Sequence, residues 1–391
     1  MATPSCLRLP GNVYCGEGAL ARTETIVRGY KKAALFTDKG IERAGLLEYP
    51  LAYMKKSGIE TIILDELPSE PTFIQAQQII DTFKASGADV IVGIGGGSVL
   101  DMAKLSSIAA SEDYGVKELL ENPLLGRKKA DTLLIPTTAG TGSEATPNSI
   151  VAVPEKELKV GIVNPEMTAD YVILDGIMIK NLPLPIAAST GIDAMAHAVE
   201  CYTSNKANLV SNLFAGEALK LIFDNIEEAC TNPDAMAAKN RMLLAAFYAG
   251  AAITSSGTTA VHALSYPLGG KYHIAHGISN AILLMPVMRF NADACQEELA
   301  QIYDMTAPGG AGISTADKAD VVLRRMEEII HHLKVPVSLA PFHVDEREID
   351  GLVKAGMQVT RLLSNNKKTV TPEDARRIYQ EIIVDRRTGN D

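Results

Sequence analysis

Short apolar runs and amphipathic stretches alternate through the first 184 residues. KAALFTD (32–38), ETIILD (60–65), ADVIVGIGGGS (88–98), DTLLIPT (131–137) and YVILD (171–175) read as strands buried on both faces. Between them, 40–57, 73–86 and 98–111 repeat their apolar positions with a helical period. This βαβ pattern predicts a parallel sheet covered by helices on both sides. From about residue 185 the texture changes. Segments 185–204, 208–228, 234–255, 277–294, 295–305, 315–333, 346–363 and 371–383 read as helices, and no strand is expected among them. Leu182-Pro183-Leu184-Pro185 marks the boundary, because proline interrupts either element. The expected architecture is an α/β domain, 1–184, followed by an all-α domain, 185–391, with a shared site in the cleft between them.

Composition narrows the class. A chain of 391 residues suits two domains of ordinary size, and no run of about 18 apolar residues predicts a membrane span. The start, MATPSCLRLPGNVYCGEG, lacks the basic and apolar blocks of a signal peptide. A net charge of −10 argues against nucleic acid, whose phosphates need a basic face. Cys6, Cys15, Cys201, Cys230 and Cys295 are scattered and form no CxxC, as expected of reduced thiols in the cytoplasm.

The densest chemistry lies in 256–277, SGTTAVHALSYPLGGKYHIAHG, which holds His262, His273 and His276, three of the seven histidines. Upstream, GIDAMAHAVECY places His197 four residues after Asp193, one turn apart on one helical face. One carboxylate and three imidazoles suit a borderline divalent metal, Fe²⁺ or Zn²⁺. Taken singly, each residue is equally a surface pair or a helix-end histidine. Cys201 follows His197 by four and reads either as a neighbour of such a site or as a small buried apolar residue.

Three further stretches concern a cofactor. In VIVGIGGGSVLDMAK (90–104) a buried strand runs into Gly95-Gly96-Gly97-Ser98 and a helix begins at once. Glycines admit close approach, and a helix N-terminus attracts a pyrophosphate, although the spacing is not GxGxxG. Asp101 on that helix faces a cleft or pairs with Lys104. Asp38, at the end of the strand 32–37, reads as a helix cap or as an acceptor for a ribose 2′-OH. IPTTAGTGSEATPNS (135–149) offers Thr137, Thr138, Thr141 and Ser143 on a loop made flexible by Gly140 and Gly142.

GGGSVLDMAK, TTAGTGSEAT, GIDAMAHAVECY and HALSYPLGGKYHIAHG, in this order in one chain, resemble the iron-containing (group III) alcohol dehydrogenase family. The resemblance covers essentially the whole chain. It implies an N-terminal dinucleotide-binding α/β domain and a C-terminal helical metal-binding domain. It also implies metal ligation by Asp193, His197, His262 and His276, iron being the expected ion and zinc the alternative. For NAD it implies Gly97 and Ser98 at the pyrophosphate, Thr137, Thr138 and Thr141 around the cofactor, Asp38 at the adenosine ribose, and Lys159 nearby; Gly96 and Asp101, on the same turn and helix, are expected to be cofactor-binding with them. The implied activity is NAD(H)-linked oxidation of a small alcohol or reduction of an aldehyde by a cytoplasmic homodimer or higher homo-oligomer, the metal acting as a Lewis acid.

Departures from the family pattern fall around the substrate. Tyr266 stands where the family usually has a histidine credited with proton relay, and its hydroxyl is the expected substitute. Ile253, Ser255 and Thr258 replace Phe, Asn and Leu, Lys271 replaces an aromatic, and Ala275 a proline. With Asn148, these residues predict a polar pocket suited to a short polar or anionic substrate, Lys271 meeting the anion. Two rival readings are a dehydroquinate-synthase-like lyase using NAD and zinc, and a catalytically silent nucleotide- or metal-binding protein.

Overall fold

The computed structural model describes residues 6–68, 71–154, 158–307 and 312–383. Among these, six strands form one sheet in the order β1-β8-β5-β4-β2-β3, with neighbouring strands parallel. The strands are β1 (Asn12–Cys15), β2 (Lys32–Phe36), β3 (Glu60–Leu64), β4 (Val90–Gly95), β5 (Asp131–Pro136) and β8 (Tyr171–Leu174). A separate antiparallel pair, β6 (Asn148–Val153) and β7 (Leu158–Val163), lies between β5 and β8 in sequence. The helices of this half are α1 (Arg22–Val27), α2 (Lys39–Arg43), α3 (Glu48–Ser57), α4 (Phe73–Ser86), α5 (Gly97–Ala109) and α6 (Val116–Glu121). All six residues of β4 are buried, which is why its sequence shows no alternation.

The five apolar runs all appear as strands. β1 escapes the pattern because it is a four-residue edge strand paired with β8 alone. The β6–β7 hairpin escapes because its first residues continue a Ser/Thr/Gly-rich loop. The stretch 40–57 is two helices, broken where Gly45 takes a positive φ of 70°. From β2 the chain moves outward to β3, whereas from β4 it moves the other way to β5. The reversal falls between β2 and β4, and in open α/β sheets ligands bind beyond the carboxyl ends of strands at such a switch point. Asp38 and Gly95-Gly96-Gly97 occupy those ends.

The second half is helical: α7 (Leu184–Thr203), α8 (Leu209–Thr231), α9 (Met236–Ser256), α10 (Ala260–Tyr272), α11 (His276–Asn291), α12 (Gln296–Thr306), α13 (Thr315–His332), α14 (Ile349–Met357), α15 (Thr360–Leu363) and α16 (Pro372–Ile383). Here α10 is the unexpected element. It contains Pro267, Gly269 and Gly270, all weak helix formers. Burial of most of its length outweighs propensity, and Tyr379 Oη donates to the Leu264 carbonyl at 2.7 Å within the segment that Pro267 disrupts. The described chain separates into two compact units. One comprises Arg8–Leu182 with Pro233–Gly250; the other comprises Pro183–Asn232 and the described residues from Ala251 onward, with the short N-terminal stretch to Leu7. The first part of α9, expected among the helices of the second half, thus packs with the sheet. A close backbone approach explains this: a Cβ on Gly250 would lie 2.3 Å from the Gly142 carbonyl oxygen.

Candidate metal centre and cofactor site

Three helices supply the candidate donors. Asp193 and His197 project from the middle of α7, His262 from the first turn of α10, and His276 opens α11. Gly277 makes the last approach feasible: a Cβ there would meet the Ser189 carbonyl oxygen of α7 at 2.6 Å. Asp193 Oδ1 lies 3.8 Å from His197 Nε2 and 3.7 Å from both His262 Nε2 and His276 Nε2. All four donor atoms are within 4.8 Å of one another. A regular tetrahedron with edges of 3.7 Å has its centre about 2.3 Å from each corner, within a few tenths of an ångström of ordinary metal–nitrogen and metal–oxygen bonds. The donor set therefore fits a divalent ion. Asp193, His197 and His262 are buried and His276 is half-buried. Burial pushes the Asp193 carboxyl up, but His197, His276, His262 and Asn280 more than offset it and hold it below the usual carboxylate range.

Two residues missed in the sequence complete this cluster. Glu200, fully buried on α7, accepts hydrogen bonds on Oε1 from Thr259 N at 3.0 Å, Thr259 Oγ1 at 2.7 Å and Val261 N at 2.9 Å. Its Oε2 pairs with His262 Nδ1. Burial raises the Glu200 pKa, but His262 and Thr259 overcome it and keep the carboxylate ionised. A histidine held through Nδ1 presents the Nε2 lone pair to the other donors, the usual second tier of a metal site. Burial likewise opposes a proton on His262, yet Glu200 and then Asp193 raise its pKa through a negative field that equally favours a metal cation. Asn280, fully buried on α11, donates from Nδ2 to Asp193 Oδ1 at 2.6 Å and lies 3.0 and 3.1 Å from the Nε2 atoms of His262 and His276. The signal available for both was spacing: Glu200 follows His197 by three and Asn280 follows His276 by four, each on the donor's helical face.

At the switch point the materials differ. Gly96 precedes α5, and a Cβ on Gly97 would lie 2.8 Å from Thr141 Cγ2. Only glycine fits there, and the α5 N-terminus is left open to an anion. Asp38 caps α2, Oδ1 accepting from Gly40 N at 2.7 Å and Ile41 N at 3.0 Å. It also lines, with Gly96, Gly97 and Ser98, a cavity of about 880 Å³, a volume suited to a nucleotide cofactor. The loop 135–149, where the two glycines predict flexibility, is tied by hydrogen bonds. Lys104, fully buried, donates to the carbonyls of Ser143 at 2.8 Å and Thr146 at 3.1 Å, to Thr146 Oγ1, and to the Asn148 carbonyl. Asp101 is the other half of this knot, pairing with Lys104 at 3.0 Å, Ser143 Oγ at 2.5 Å and Ile150 N at 2.9 Å, so its carboxylate is occupied within the protein. Thr137 is buried with no partner for Oγ1 among the described residues, Thr141 Oγ1 accepts from Ser143 N at 3.3 Å, and Thr138 is half-buried. Lys159 stands opposite Ala152 in the β6–β7 pair.

The remaining expected residues divide. The Tyr266 ring lies 6.4 Å from that of His276, centroid to centroid, and so borders the donor set. Lys271 is exposed and pairs with Glu348, which the Tyr272 hydroxyl also contacts at 3.0 Å; a substrate anion would have to displace that carboxylate. Ser255 Oγ accepts from Asn208 Nδ2 at 3.0 Å, the Thr258 carbonyl accepts from Asn365 Nδ2 at 3.0 Å, and Ile253 is half-buried. Asn148 opens β6 half-buried. The Cys201 thiol is fully buried 3.7 Å from the Gly257 carbonyl oxygen, its pKa pushed by burial up to about 12, and it lies outside the donor cluster.

Comparison with known proteins returns one family over nearly the whole chain. Residues 10–176 match the family described as iron-containing alcohol dehydrogenase, and 187–383 match the C-terminal Fe-containing alcohol dehydrogenase family. The long-chain-alcohol dehydrogenase 1 of Geobacillus thermodenitrificans is 31% identical over 372 residues, 94% of each chain. The NAD-dependent methanol dehydrogenase of Bacillus methanolicus is 29% identical, covering 96% of this chain and 99% of its own. A crystal structure of 1,3-propanediol oxidoreductase superposes with a TM-score of 0.92 at 28% identity, covering 97% of this chain and 100% of its own.

Proposed function

This chain belongs to the iron-containing alcohol dehydrogenase family, and from that premise we propose that it interconverts a small primary alcohol and its aldehyde with NAD(H) and one divalent ion. The observation that carries the reading is the convergence of the donor atoms of Asp193, His197, His262 and His276 to within 4.8 Å of one another. Those residues would hold the ion, and Asp38, the Gly96-Gly97-Ser98 turn and Thr137, Thr138 and Thr141 would hold the cofactor, with Lys159 near it. When bound, the ion supplies Lewis acidity to a hydroxyl or carbonyl oxygen and the nicotinamide supplies a hydride acceptor or donor. The protein does the rest. Glu200 fixes the His262 tautomer, burial of Asp193 and its neighbours keeps water away, and the first turn of α5 offers N–H groups to a pyrophosphate. Tyr266, beside His276, is the residue we assign to move the substrate proton through its hydroxyl.

We read the substrate class more broadly than the sequence suggests. Lys271 answers to Glu348 and Ser255 to Asn208, so the polar lining that would favour an anionic substrate is already engaged. Relatives are named both for methanol and for long-chain alcohols, neither of them anionic. We therefore assign a small primary alcohol or aldehyde without a required anionic group. The described cysteines are all free, in keeping with a cytoplasmic enzyme, and we take the assembly to be a homodimer. No described helix is long and apolar enough to cross a membrane.

The test is direct. Purified protein reconstituted with Fe²⁺ or Zn²⁺ is given NAD and a panel of alcohols, and NADH absorbance is followed; at least one alcohol should give signal. Silence with every alcohol, and with every aldehyde plus NADH, would favour the silent binding protein or the lyase over this reading.

A further inference from the structure

We infer that Asp65 selects for NAD over NADP by withholding the Lys39 ammonium from a 2′-phosphate. The inference rests on the reading above that the cavity at the switch point is the nucleotide site, with Asp38 at the adenosine ribose. β2 and β3 run parallel as neighbours, and just beyond their carboxyl ends Asp38 bridges to Glu66 through the backbone. Asp38, Lys39, Arg43, Asp65 and Glu66 all line the cavity there. Asp38 commits Oδ1 to the α2 cap, while Oδ2 has no hydrogen-bond partner among the described residues and suits a ribose hydroxyl. Lys39 is the next residue. An ammonium in that place would ordinarily attract a 2′-phosphate and offset the repulsion from Asp38. Here it is engaged by Asp65, with Glu42 at 3.4 Å. A pair this exposed adds little stability, but it decides where the positive charge stands. With Lys39 neutralised, the unpaired Asp38 oxygen meets a 2′-phosphate without a compensating lysine. Arg43, the other cation of the lining, is tethered through Nε to the Lys39 carbonyl at 2.9 Å.

Asp65 could disfavour a phosphate in two ways, by its own charge or by its hold on Lys39, and removing Lys39 separates them. Arg43 is unchanged in every variant, so its own contribution cancels. The full chain, loaded with Zn²⁺, is titrated calorimetrically with NAD and with NADP, which reads each dissociation constant without turnover. The wild type should bind NAD the more tightly. Asp65→Asn should tighten NADP roughly fivefold or more and leave NAD within about twofold. In the double variant Asp65→Asn, Lys39→Met that gain should vanish, because the freed ammonium is its source. Should Asp65→Asn fail to fold by circular dichroism, Asp65→Ser decides by the same readings. The inference is overturned by an unchanged NADP affinity in Asp65→Asn, by a gain that NAD shares, by one that persists without Lys39, or by a wild type that prefers NADP. A wild type that binds neither dinucleotide overturns the cofactor reading itself, a result distinct from the others.

Discussion

Around Asp193, four side chains from three helices converge, and a second tier of Glu200 and Asn280 holds them through hydrogen bonds. Beyond β4, by contrast, the critical feature is the absence of side chains: Gly97 fits under Thr141 only without a Cβ. On the proposed function, the reason lies in the ligands. A small ion needs lone pairs fixed to within tenths of an ångström, which only supported side chains supply. A pyrophosphate is large and accepts main-chain N–H groups along its length, so open backbone serves it better. The two sites should therefore fail in different ways.

The largest effect is expected at the donor set. Asp193→Ala removes the only carboxylate among the four donors; metal analysis should find the ion lost and turnover down by roughly a thousandfold or more, with the melting curve largely kept. Glu200→Gln keeps the shape and removes the charge, so chelator competition should show metal affinity falling roughly 10- to 100-fold while KM for NAD stays constant. Gly97→Val should do the reverse. Its side chain collides with Thr141, raising KM for NAD by roughly tenfold or more with full metal content. Loss of metal in Gly97→Val, or a raised KM for NAD in Glu200→Gln, would break the distinction.

Glu144 sharpens it through pH. This carboxyl is buried in the 135–149 loop, and burial raises its pKa to about 7 in the folded chain, against 4.5 as the ordinary value. The folded state thus binds more protons than the unfolded state between those values. Stability from this group is fully present below about pH 4.5 and is lost as pH rises through 7, by on the order of 3 kcal/mol at most. Glu144→Gln should flatten that slope in a melting series. The smallest effect is at Asp38. Asp38→Gly should narrow a preference for NAD over NADP several-fold by relieving repulsion of a 2′-phosphate, with only a few tenths of a kcal/mol lost from the α2 cap. A wild type that uses NADP better would show that Asp38 does not face the ribose.

The same contrast explains what was legible in the sequence. Continuous apolar runs announce strands buried on both faces, so the sheet and its helices could be read directly, and Asp193 with His197 showed through its helical spacing. The edge strand Asn12–Cys15 was too short to show a period, and α10 was hidden because Pro267 and two glycines argue locally against a helix that burial imposes. Glu200 and Asn280 went unread because a buried carboxylate or amide looks like any polar residue on a helix until the fold shows what it touches. Lys271 differs in the opposite sense. A lysine beside a glycine pair looks available, but Glu348, 77 positions away, claims it.

The account turns on one ion held by four side chains. The most direct measurement is elemental analysis of wild type and His262→Ala, each purified, reloaded with Fe²⁺ or Zn²⁺ and freed of excess. Wild type should carry close to one ion per chain and His262→Ala almost none, with circular dichroism showing both folded. Full occupancy in the variant, or none in the wild type, would contradict the account.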